Sequence, residues 1–106
     1  MNEDPSQREL FQPDRFIEDL RNIPKTRFRD QERYTEVEWR RGNLTTGVQN
    51  VVVYADRLRG VNKLQEAFEA LRQIHPDEEE FLRLHLEQLM KKHVFTKDEL
   101  PWITTE

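Results

Sequence analysis

The groups in this chain whose types could do chemistry are three histidines, His75, His85 and His93, and a large number of carboxylates. A helical zinc pair needs two ligands one turn apart, at i and i+4, on one face. No two of the histidines stand at that spacing. The chain has no cysteine, which excludes thiol catalysis, thiolate metal sites and a disulfide framework. Its one serine, Ser6, lies in the polar N-terminal lead and offers no nucleophile–base arrangement. Gly42, Gly47 and Gly60 do not form a phosphate-binding loop. In a sequence that is 36% charged, paired carboxylates are expected on any solvated face and identify no acid–base couple. No catalytic residue, cofactor or metal site is expected.

Two charge clusters remain. Arg27, Arg29, Arg33, Arg40 and Arg41 form a basic group, interleaved with Asp30, Glu32, Glu36 and Glu38. Asp77, Glu78, Glu79 and Glu80 form an acidic one. The plain reading of the first is surface charge paired locally, which stabilises little. The plain reading of the second is acid in the first turn of a helix, where it favours the macrodipole. The sharper reading makes both clusters partner-binding patches on different sides of one domain, so that copies could meet through opposite charge.

The elements that must position these groups read as helices. Pro13 suits a first turn, and Phe16, Ile17, Leu20 and Ile23 follow on one stripe until Pro24, giving a helix over about Pro13 to Asn22. Lys25 to Arg41 has no clean period and is expected to hold one or two short helices, one near Phe28 to Arg33. Gly42-Asn43 reads as a break. Thr45 or Thr46 would then cap a third helix carrying Val48, Val51, Val52, Ala55 and Leu58, with Gly60 as its left-handed end. Asn62 and Gln65 would open a fourth, with Leu64, Ala67, Phe68, Leu71 and Ile74 inward, ended by Pro76. Asp77 would cap a fifth, to about His93, answered by Glu80. Thr96 and Glu99 would close a capping box on a last short turn before Pro101, with Trp102 folding back. Leu20, Val52, Ala55, Leu64, Phe68 and Leu71 are the expected core.

The fold class is therefore all-α, a compact bundle of five to six short antiparallel helices, in one domain over residues 13–100, with a flexible lead at 1–12 and a tail at 101–106. The start of the chain has no apolar region of a signal peptide, and Val51 to Ala55 is too short to span a membrane, so a cytoplasmic protein with no membrane partner is expected. The net charge of −4, with both signs mixed, gives no reason to expect nucleic acid.

The first helix ending Phe16-Ile17-Glu18-Asp19-Leu20-Arg21-Asn22-Ile23-Pro24, the Arg-bearing segment with Asp30 and Arg33, and the run from Val48 through Gly60 to Phe68 resemble the effector-associated domains, small helical members of the death-like superfamily found in bacterial conflict systems. The resemblance spans about Pro13 to His75 and is most specific at the Gly60 corner. The middle of this chain is richer in Arg and Glu than that pattern, and the segment after Pro76 lies beyond it. The resemblance implies a death-like bundle that pairs with other death-like or effector-associated domains, or with itself, and so brings a protease, NTPase or pore-former together with its regulators. No catalytic residue carries over. Two other classes remain in view: a small helical DNA-binding regulator reading the groove through the helices around Gly60, and an immunity or inhibitor protein using its acidic face on a single partner.

Overall fold

The computed structural model describes residues 11–25 and 33–103. Of these, 74% are helical, in five α-helices and two short 3-10 turns, with no strand among the described residues. The expected helix near Phe28 to Arg33 falls almost wholly outside them.

Helix α1 (Pro13–Arg21) starts on Pro13 and buries Ile17 and Leu20, and a 3-10 turn at Ile23–Lys25 follows it. Helix α2 (Glu36–Val53) is the longest. Thr35 opens it, its hydroxyl accepting from the Glu38 amide and the Glu38 carboxylate accepting from the Thr35 amide, both at 3.0 Å. This reciprocal box replaces the expected cap at Thr45 or Thr46. The helix then runs straight through Gly42-Asn43, where a break was expected. Each glycine costs about 1 kcal/mol of helix propensity, but burial of Leu44, Val48 and Val51 on the same helix outweighs it. Gly47 suits a close approach: a Cβ there would lie 2.7 Å from Leu71 Cδ2, where α2 crosses the fourth helix.

The expected Val48-to-Leu58 helix is interrupted at Tyr54, and α3 (Ala55–Gly60) continues with Ala55 and Leu58 inward. Val52 is only half-buried, since Val51 takes the inward position beside it. The residue in the left-handed region is Asn62 (φ 62°), not Gly60. Asn62 donates to the Arg59 carbonyl and Lys63 to the Leu58 carbonyl, the paired bonds of a Schellman ending. Asn62 is thus spent on ending α3. Helix α4 (Leu64–Ile74) begins without a side-chain cap, so the expected Asn62–Gln65 box does not form. Asp77 likewise caps nothing: a 3-10 turn at Pro76–Glu78 leads directly into α5 (Glu79–Lys91). A second Schellman ending at His93 (φ 66°) closes α5.

Helix α4 is the centre of the bundle, packed against α1, α2 and α3, while α5 lies on α2. Phe68 is fully buried, its ring edge-on to Phe95 at 5.1 Å. The box at Thr96 and Glu99 forms as expected, on a turn. Leu100 and Ile103 are buried in the same core, so the end of the domain extends past the expected boundary at 100. At the other end Phe11 stacks on Tyr54 at 5.2 Å, joining the expected lead to the bundle.

Candidate docking surface

Part of the basic cluster meets part of the acidic one within the chain. Glu78 opens onto α2, where Arg41 Nε donates to its Oε1 at 2.9 Å and Arg40 Nε to its Oε2 at 3.4 Å. The Glu78 side chain is 9% exposed. The Arg41 hydrogen bond, and then Arg40, hold its carboxyl below the usual carboxylate range. Arg40 also reaches Glu36, and the Arg41 guanidinium lies 5.2 Å from the centre of the Phe81 ring. The expectation that the clusters occupy different sides of the domain therefore does not hold for Arg40, Arg41 and Glu78, because the corner after α4 returns the chain to the first turns of α2. Glu79 pairs with Arg72, and Glu80 with Arg83 one turn along α5. Arg33 and Asp77 are exposed, and Arg27 and Arg29 lie outside the described residues.

Behind this clip, Asn43 is buried and its amide Nδ2 donates to His75 Nε2 at 3.0 Å, with Trp39 edge-on to the imidazole at 5.6 Å. Burial, and next the nearby Arg40 charge, push the His75 pKa down, which keeps the ring neutral and able to accept. His85 is half-buried on α5 and His93 ends that helix. The three histidines do not converge, and no group of three His, Asp or Glu fit to hold a metal is present among the described residues. No helix there is long and apolar enough to cross a membrane.

A second clip ties α3 to the last turn. Arg59 Nε donates to Glu99 Oε2 at 2.6 Å and its Nη2 to the Val94 carbonyl at 2.7 Å. The Arg59 hydrogen bond lowers the Glu99 carboxyl in turn. Several of the charges among the described residues are thus paired within the protein.

The outer face of α2 is set apart by its lack of charge. Every residue from Gly42 to Ala55 is uncharged, in a sequence that is 36% charged. Inward positions go to the core, but Gly42, Thr46, Gln49, Asn50 and Val53 face solvent, Val53 at 72% exposure. Glu38, Gly42, Thr46, Asn50 and Tyr54 form one i, i+4 row that runs obliquely across it. Each end of the row opens into a recess. At the start, Tyr34, Trp39, Gly42 and Thr46 line one of about 300 Å³. At the finish, a cleft of about 470 Å³ separates α1 from α2, walled by Phe11, Phe16 and Tyr54 with Arg15, Asp19 and Arg57 at its edges. Periodicity alone assigned the Val-rich run to the core and passed over this face. The signal that finds it is the missing charge.

No family model matches this chain, and no curated protein or solved structure matches it.

Proposed function

We propose that the chain is a non-catalytic adaptor of the death-like kind, acting in the cytoplasm of a bacterial defence or signalling system. It docks domains of its own class and through them an effector such as a protease, NTPase or pore-former. The observation that carries the reading is the solvent-facing α2 row, uncharged from Gly42 onward, with a recess at each end. Depletion of charge, with aromatic residues and arginine nearby, is the compositional mark of an interface core. The all-helical bundle is consistent with a death-like domain, and the resemblance over Pro13 to His75 supplies the class of partner. The helices around Gly60 do not favour nucleic acid, since Lys63 and Arg72 on that face already pair with Asp14, Glu66, Glu69 and Glu79.

The test uses the chain and its Thr46→Arg variant as baits for the products of neighbouring genes. A neighbour bearing a small helical domain is retained by the first and lost by the second. Equal retention by both, or retention of no such neighbour, overturns the reading.

A further inference from the structure

The α2 face also indicates what covers it, and this inference rests on the docking reading above. We propose that it pairs with a second copy of this chain, the two α2 helices lying antiparallel about a two-fold axis at Thr46. The row Glu38, Gly42, Thr46, Asn50 and Tyr54 is centred on Thr46, and its two ends are complementary to each other. The first end carries the Glu38 carboxylate and the projecting Tyr34 ring, 57% exposed. The second carries the aromatic cleft of about 470 Å³ and Arg57. Arg57 lies 5.9 Å from the Tyr54 ring centre and has no carboxylate partner among the described residues. Glu38 uses one carboxylate oxygen on the Thr35 amide, leaving the other.

An antiparallel pair sets the first end of each copy on the second end of the other. Tyr34 then meets the cleft, and Glu38 meets Arg57, twice over. A parallel pair would set Glu38 on Glu38 and Arg57 on Arg57, so charge selects the antiparallel sense. The lengths agree: at about 1.5 Å per residue, Glu38 lies roughly 12 Å to one side of Thr46, and Tyr54 roughly 12 Å to the other. The middle of the row is low. A Cβ on Gly42 would meet nothing within 4 Å, so the space over it is open to a second backbone. Such an isologous contact closes at two copies. A single helix about 27 Å long and the two clefts make a small interface, so the dimer is weak and concentration-dependent.

Sedimentation velocity from about 10 µM to about 1 mM tests this, with circular dichroism to verify that each variant keeps its helical signal. The chain is expected to pass from monomer to dimer and no further. Thr46→Arg and Thr46→Glu, each set against itself across the axis, weaken the dimer at least about tenfold. An equal mixture of the two restores it, because Arg then faces Glu. Tyr34→Ala also weakens it. A strict monomer at about 1 mM overturns the second copy, while retention of a neighbour still judges the docking surface separately. A dimer indifferent to both Thr46 variants overturns the α2 face. One weakened by both yet not restored by mixing overturns the two-fold axis.

Discussion

Alanine at Gly42 and alanine at Gly47 make a matched pair on one helix, and their difference measures how α2 sits on α4. Both glycines lie inside α2, so each Gly→Ala change gains about 1 kcal/mol of helix propensity. At Gly42 nothing opposes the gain, since the new methyl meets no atom within 4 Å. Gly42→Ala should therefore stabilise by about 1 kcal/mol. At Gly47 the methyl lands 2.7 Å from Leu71 Cδ2, with Ile74 and Ile23 methyls at 3.4 and 3.5 Å. Leu71 is fully buried, so its methyl can give way only by disturbing the packing around it. Overpacking of this kind costs about 1–3 kcal/mol, so Gly47→Ala should be neutral to destabilising, by about 0–2 kcal/mol. The difference between the variants is the strain alone, about 1–3 kcal/mol. Urea denaturation at a few micromolar protein measures it, below the range in which copies associate. If Gly47→Ala stabilises as much as Gly42→Ala, α2 does not cross α4 at Gly47. If Gly42→Ala gives no gain, α2 is not continuous through Gly42-Asn43.

Reversing Arg40 and Arg41 to Glu leaves Glu78 buried among like charges, so the melting temperature should fall and the loss should persist in dilute solution. An unchanged melting temperature would place Glu78 outside the α2 contact. Stability should also fall with acid in two stages. His75 and His85 have folded pKa values lowered from 6.5 by burial, so the unfolded chain binds protons first as pH drops below about 6.5. Glu78 and Glu99 are lowered from 4.5 by their arginines, so their contribution is present above about pH 4.5 and is lost as pH falls through their folded values. A melting temperature flat from pH 7 to pH 4 would contradict the histidine stage.

The sequence by itself determined what short-range physics determines. Pro13 and Pro24 bounded α1 within a residue or two, because proline acts on its own dihedral and its neighbour's. The 3.6 period marked α4 and five of the six expected core residues, because one helix face repeats its burial locally. The Thr96–Glu99 box was legible for the same reason. The tertiary structure decided the rest. Glycine at 42 and 47 reads identically in sequence, and only the side chains over Gly47 separate a crowded position from an open one. Gly60 was the natural end for α3, but the chain must turn two residues later to set Leu64 into the core, so Asn62 takes the left-handed position. Arg40 and Arg41 stand far from Glu78 along the chain, and no spacing rule reaches that distance. Only the packing of α4 and α5 against α2 joined Arg40 and Arg41 to Glu78, and left the uncharged outer positions of α2 from Gly42 to Val53 facing solvent.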